Sequence, residues 1–306
     1  MEFTGWASGC QPARPRYPPD MEESASLGEL IQEADRALEN SPNPRQPREA
    51  ERLVFAATGL RETDLIGFPE RTIAPERVAR FREILKRRIQ GEPIQYILGE
   101  WDFFGRPFLC DPRALIPRPE TELIIEFVKE NCGAARSLLD LGTGTGALAV
   151  TASLELTGVR VVGIDLSAGA VALARRNSRR LGSEARFFVS DWDQGLSAGA
   201  GFDVVVSNPP YIDEREAFAL APEVRDHEPH LALFAPGDPS SSIREVVDVA
   251  RRRLLPAGWL VFEMGIGQAA EAESILRRTS GLDFLEVRTD LAGIPRIAVA
   301  KRSGGW

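Results

Sequence analysis

Two short stretches of the chain carry residue types that could do chemistry. The first, residues 138–146, reads Leu-Leu-Asp-Leu-Gly-Thr-Gly-Thr-Gly, with Asp140 closing an apolar run before glycines 142, 144 and 146. A helix-compatible run begins at Ala147. A buried parallel strand, a tight turn and a helix whose N-terminus faces a ligand have this pattern. Glycine lets backbone N–H groups approach a ligand that a side chain would hold away. The second stretch, residues 207–211, reads Ser-Asn-Pro-Pro-Tyr. Pro209 and Pro210 lack N–H donors and stiffen the loop, which leaves carbonyl oxygens free to face a ligand. Asn208 adds an acceptor and Tyr211 an aromatic face.

Three acids and the glycine spacing narrow the ligand of the glycine loop. Asp165 ends Val-Val-Gly-Ile-Asp, 23 residues after Gly142, where a carboxylate meets ribose hydroxyls in nucleotide-binding βαβ units. Asp191-Trp192 follows Phe-Phe-Val-Ser and offers an acceptor and a ring to bracket an adenine. The Gly-x-Gly-x-Gly spacing differs from the Gly-x-Gly-x-x-Gly of dinucleotide sites. Asp140, two residues before the first glycine, would repel a pyrophosphate and suits a cationic, sulfonium-bearing amino acid. Together these features favour S-adenosyl-L-methionine over a dinucleotide.

The elements that must position these loops follow from pattern. From Ser137 onward, apolar strand runs at 137–141, 160–164, 185–189, 203–207 and 259–263 alternate with helical stretches at 147–157, 167–181, 242–255 and 268–279. This order calls for an α/β fold, a doubly wound parallel sheet covered on both faces. Two further strands, 282–288 and 297–301, have no helix between them and predict a terminal antiparallel hairpin, giving a mostly parallel seven-stranded sheet. Ligands of such sheets sit beyond the carboxyl ends of the strands, where strand order reverses.

Upstream, residues 27–90 read as a bundle of four or five helices, with Leu27, Leu30, Ile31, Ala34 and Leu38 forming the first apolar stripe. Residues 91–118, rich in aromatic and β-branched side chains around Gly105, predict a β-hairpin linking two domains. Phe103 and Phe104 at that junction could line a pocket or fill the hairpin core. Residues 1–20 carry four prolines and few large aliphatics, so disorder is expected there; translation could start at Met1 or at Met21. The expected organisation is an extension (1–20), a helical substrate-recognition domain (21–90), the hairpin (91–118) and a catalytic domain (119–306).

Composition bounds the function classes. The net charge of −8 and the lack of a basic block count against direct nucleic-acid binding. Three widely separated cysteines suggest free thiols in a reducing, cytoplasmic compartment. His227 and His230 flank Pro229 without a carboxylate-histidine motif, so no metal is expected. No run of eighteen apolar residues occurs, and no membrane span is expected.

Asn-Pro-Pro-Tyr after the fourth strand is similar to methyltransferases that modify planar amide or exocyclic amino nitrogens. The chain from about residue 27 to 301 resembles the release-factor glutamine methyltransferases of the HemK/PrmC group. The resemblance rests on residues 91–108, Leu-Ile-Pro-Arg-Pro-Glu-Thr-Glu at 115–122, residues 140–146 and 205–212, Glu228-Pro229 and Glu263-Met264-Gly265. It implies the class I S-adenosyl-L-methionine methyltransferase fold, with the glutamine of the Gly-Gly-Gln motif in class I peptide chain release factors as methyl acceptor. It implies donor contacts at Gly142, Thr143, Gly144, Thr145, Gly146, Asp165, Trp192 and Asn208, with Asn208, Pro209, Pro210, Tyr211 and Phe103 holding the glutamine amide. The sequence departs from the family in the loop Ala235-Pro236-Gly237-Asp238-Pro239-Ser240 and at His227, where a tyrosine is common. A monomer is expected. Three other activities compete: methylation of a glutamine in a large-subunit ribosomal protein, DNA adenine methylation, and nicotinamide-dependent oxidoreduction.

Overall fold

A computed structural model describes residues 24–39, 41 and 43–304; the extension 1–20 and Met21 lie outside the described residues. The chain divides into two compact units that meet in sequence between Ile89 and Gln90, with Asn43 and Pro44 counting with the second.

The first unit contains β1 (Ala25–Ser26), α1 (Leu27–Glu39), α2 (Glu49–Thr58), α3 (Glu62–Gly67), β2 (Thr72–Ile73) and α4 (Pro75–Ile89). Leu27, Leu30, Ala34 and Leu38 of α1 are buried, as a stripe at spacings of three and four requires. Glu49 and Arg88 form an ion pair with both side chains almost fully buried.

The second unit opens with α5 (Ile94–Leu98), β3 (Glu100–Phe103) and β4 (Arg106–Leu109). The hairpin is therefore shorter than residues 91–118 suggested: Ile94 to Leu98 form a helical turn, stopped by Gly99 at φ 75°. The hairpin turns on Phe104 and Gly105, both at positive φ, which matches the twist of a two-residue loop. A phenylalanine at φ 51° is strained, and the Phe104 N–H is held by Glu122 Oε1 at 2.7 Å.

The sheet domain then runs α6 (Glu122–Asn131), β5 (Ser137–Leu141), α7 (Ala147–Glu155), β6 (Arg160–Asp165), α8 (Ala168–Leu181), β7 (Arg186–Val189) and β8 (Phe202–Ser207). It continues with α9 (Pro222–His227), α10 (His230–Leu233), α11 (Ser241–Arg253), β9 (Leu254–Glu263), α12 (Ala269–Arg278), β10 (Leu282–Thr289) and β11 (Pro295–Arg302). The seven strands lie in the order β10-β11-β9-β8-β5-β6-β7. Strands β9, β8, β5, β6 and β7 are parallel, and β11 is antiparallel to both β9 and β10. Strand β9 starts five residues earlier than the apolar run 259–263, because Ala257 takes φ 63° and carries the chain through a register shift against β8.

Alternate strand residues fill the two faces. Leu138, Val161, Val204 and Val261 pack with α6 and α7, whereas Leu139, Val162, Val205 and Leu260 pack with α11. Strand order reverses between β5 and β8, which pair directly, with Leu141 beside Ser207. Both chemistry-bearing loops leave the sheet at that point.

Candidate functional site

The glycine loop follows β5 because three consecutive alternate residues adopt a backbone that favours glycine. Gly142, Gly144 and Gly146 have φ of 69°, 55° and 84°. A Cβ on Gly142 would meet nothing within 4 Å, so this glycine faces open space. A Cβ on Gly146 would sit 3.0 Å from the Ala174 Cβ, so there the glycine serves close packing of α8. The loop is pinned from below: Thr143 N donates to Ile164 O at 2.9 Å, and Thr145 O accepts from Asn177 Nδ2 at 2.9 Å. Asn177 also exchanges hydrogen bonds with the Leu109 backbone, so one buried amide ties the hairpin to the glycine loop.

Asp140 lies beneath this loop. Its Oδ2 accepts from Thr143 Oγ1 at 2.6 Å and from Ala149 N at 3.2 Å, while Oδ1 is buried with no partner among the described residues. Burial pushes its carboxyl up to about 7, partly offset by those two hydrogen bonds. Asp165 uses its Oδ2 on Gly144 N at 2.9 Å and its Oδ1 on Ser167 N at 2.8 Å. Each oxygen keeps a lone pair for a further donor. Burial raises its carboxyl too, against the pull of those two N–H groups.

A cavity of about 560 Å³ collects most of the expected site residues. Gly142, Thr143, Gly144 and Thr145 form one wall, and Asp165, Asp191 and Trp192 another. Trp192 holds φ 45°, fixed by the Ser190 hydroxyl, which donates to Trp192 O at 2.6 Å. Asn208 and Pro210, which follow β8, and Phe103 line the cavity too. Phe103 resolves the pocket-or-core question in both directions: it is 1% exposed and stacks edge-on to Phe108 at 5.9 Å, yet it also lines the cavity. Gly146, Pro209 and Tyr211 are not on this lining. The Tyr211 hydroxyl instead reaches Glu263 Oε1 at 3.3 Å, and burial raises its phenol.

Sequence reasoning missed two residues that brace Asn208. Asn208 Nδ2 donates to Thr121 Oγ1 at 3.0 Å, and Thr121 Oγ1 donates to Glu263 Oε2. Both lie in stretches that carried the family resemblance, 115–122 and 263–265, but nothing in their spacing indicated a shared network. Sequence reasoning also missed Glu228, which accepts from Ile116 N at 3.0 Å and from Arg118. It fixes the segment that carries Ala114, whose Cβ lies 3.9 Å from where a Cβ of Gly144 would stand. Among the described residues lining the cavity there is no histidine or cysteine.

Comparison with known proteins accords with this architecture. The model of the PrmC N-terminal domain matches residues 29–99, and that of the methyltransferase small domain matches residues 119–225. A release factor glutamine methyltransferase of Koribacter versatilis is 36% identical over 279 residues, covering 90% of this chain and 99% of the relative. One of Nitratidesulfovibrio vulgaris is 39% identical over 285 residues, covering 91% and 96%. A crystal structure of a methyltransferase from Pyrococcus furiosus shares the fold at a TM-score of 0.50 and 18% identity, covering 71% of this chain and 97% of that one. The hMettl16 catalytic domain does so at 0.51 and 17%, covering 82% and 90%. With two loops converging at the switch point of a seven-stranded sheet and relatives matched over nearly their whole length, the chain belongs to the release factor glutamine methyltransferase family.

Proposed function

We propose that this protein transfers a methyl group from S-adenosyl-L-methionine to the side-chain amide nitrogen of the glutamine in the Gly-Gly-Gln motif of class I peptide chain release factors. The observation that carries the reading is the presence of the glycine loop and Asn208 on one cavity, in a chain of this family.

S-adenosyl-L-methionine supplies an electrophilic methyl carbon on its sulfonium. The residues present fit that molecule: Gly142 leaves a cradle that a Cβ would fill, and Asp140 Oδ1 is a buried, unpartnered acceptor beside it. Asp165 would take the ribose hydroxyls, Asp191 and Trp192 the adenine, and Asp140 the cationic amino-acid end.

An amide nitrogen is a poor nucleophile because its lone pair is delocalised into the carbonyl. We assign Asn208 Oδ1 and the Pro209 carbonyl as acceptors for the two amide N–H groups. Holding both hydrogens fixes the nitrogen and favours its pyramidalisation toward the methyl carbon. Such positioning supplies roughly 7–11 kcal/mol at most. Phe103, with its ring on the cavity, would hold the amide plane, and Tyr211 would act through Glu263. Transfer is direct and in line, with no covalent enzyme intermediate, and the proton leaves to water. Recognition of the acceptor protein is assigned to the helical unit, where Ile66 and Phe68 of the α3 end are exposed.

The test offers labelled donor with a purified release factor, a large-subunit ribosomal protein or duplex DNA. Label is expected in the release factor alone; label confined to either rival acceptor contradicts the assignment.

A further inference from the structure

Thr121 has one hydroxyl hydrogen and two neighbours that could use it. The hydrogen goes to Glu263 Oε2, and Glu263 Oε1 accepts from the Tyr211 hydroxyl at 3.3 Å. Toward Asn208 the same hydroxyl can therefore only accept. That polarity turns the NH₂ end of the Asn208 amide toward Thr121, at 3.0 Å, and the Oδ1 end away from it. Thr121 is 5% and Glu263 2% exposed, so the bond between these two is shielded from solvent. Thr121 and Asn208 line the cavity, while Glu263 and Tyr211 stand behind them.

We propose that Thr121 and Glu263 are positioning residues that select which end of the Asn208 amide an acceptor meets; this rests on the acceptor reading above. An amide rotated by half a turn would set donor against donor and lose the bond to the acceptor nitrogen. Besides its bonds to Thr121 and the Tyr211 phenol, which lower its carboxyl, two charged groups act on Glu263: Glu120, which raises it, and Arg296, which lowers it. Burial dominates and pushes that carboxyl up to about 7. A protonated Glu263 has its own hydrogen to give to Thr121, which frees the threonine hydrogen for Asn208 Oδ1 and admits the rotated amide.

Two readouts test this. In transfer to release factor, Thr121→Val is expected to lower kcat about 10- to 100-fold, the loss of one buried hydrogen bond in the transition state. Donor KM should stay within about twofold, since uniform binding is untouched. Thr121→Ser, which keeps the hydroxyl, should recover most of the loss. The wild-type kcat should fall as pH drops below 7, and Glu263→Gln should lack that limb. Separately, exchange of the Asn208 side-chain amide protons is followed by NMR with S-adenosylhomocysteine bound and no acceptor present. Exchange should accelerate in Thr121→Val and not in Thr121→Ser; Thr121→Ala gives the same reading if valine is not accommodated. Unchanged exchange, or a wild-type kcat in Thr121→Val, overturns the inference. The NMR arm needs no acceptor, so absence of transfer by the wild type would count against the release-factor reading alone.

Discussion

Asn208 Nδ2 lies 3.0 Å from Thr121 Oγ1, although the two residues are 87 positions apart in the chain. The bond leaves Oδ1 as the end available to an amino group. Replacing Asn208 with Ala removes that acceptor, and replacing it with Asp adds a carboxylate near the buried Glu263. Both variants should lose roughly 10²–10³ in kcat, as removal of one preorganised transition-state contact does. Binding of S-adenosylhomocysteine, measured by calorimetry, should fall far less, because the glycine loop, Asp140, Asp165 and Asp191 remain. Full transfer activity in Asn208→Ala would remove this residue from the mechanism.

Asp140 should make donor binding pH-dependent. Its carboxyl is pushed up to about 7 chiefly by burial, and only the ionised form attracts a cationic ligand. Affinity for S-adenosyl-L-methionine is expected to rise about tenfold from pH 6 to pH 8, and the rise should vanish in Asp140→Asn. The sign for stability is opposite. A carboxyl raised in the folded state binds its proton more tightly than in the unfolded chain, so its contribution falls as pH climbs from the ordinary carboxylate range to about 7. Without donor, Asp140→Asn should therefore unfold at a higher temperature than the wild type at pH 8. A pH-independent donor affinity would place the charge of Asp140 outside recognition.

Gly163 of β6 is required by packing rather than by backbone angle. A Cβ there would come within 2.7 Å of Phe187 Cδ1 and Cε1 and of Thr143 Oγ1. Gly163→Ala should cost about 1–3 kcal/mol, the range for overpacking a filled core. It should also weaken donor binding, since the displaced Thr143 hydroxyl is the one that holds Asp140. Thermal unfolding with and without S-adenosylhomocysteine checks both effects; an unchanged midpoint would mean that Phe187 moves freely.

In the helical unit, Arg88 is 1% and Glu49 0% exposed at the side chain. Glu49→Ala removes the partner carboxylate of a buried guanidinium and should destabilise by about 3–5 kcal/mol. Replacing the pair together, Glu49→Leu with Arg88→Met, should recover most of that loss, because neither charge is then left alone. Chemical unfolding of the three proteins distinguishes these outcomes. Equal stability of Glu49→Ala and wild type would show that water reaches the arginine.

Much of the sheet was legible because fully buried strands are short apolar runs: residues 137–141 emerged with the bounds that the sequence suggested. Strand β9 was read short because Leu254 and Leu255 continued the helical pattern of 242–255, whereas Leu254 pairs with Phe202 of β8 and the chain bulges before Trp259 resumes that ladder. The helical turn at Ile94–Leu98 was hidden by its β-branched and aromatic composition, which tertiary packing overrode. At the site, the glycines and Asp165 announced themselves by local spacing. The Asn208–Thr121–Glu263 network could not, since its members come from three distant segments and meet only once the sheet is assembled. Tyr211 was expected at the acceptor, but its hydroxyl turns to Glu263 on the far side of the loop.

The central claim is that the Asn208 loop directs a methyl group onto one glutamine. The most direct measurement incubates the purified enzyme with S-adenosyl-L-methionine and a class I release factor, then maps the methylated residue by peptide mass spectrometry. A methyl group is expected on the glutamine of the Gly-Gly-Gln tripeptide, absent with Asn208→Ala and absent when that glutamine is replaced. An unmodified tripeptide after incubation with active, donor-binding enzyme, or methylation at another residue of the release factor, would contradict it.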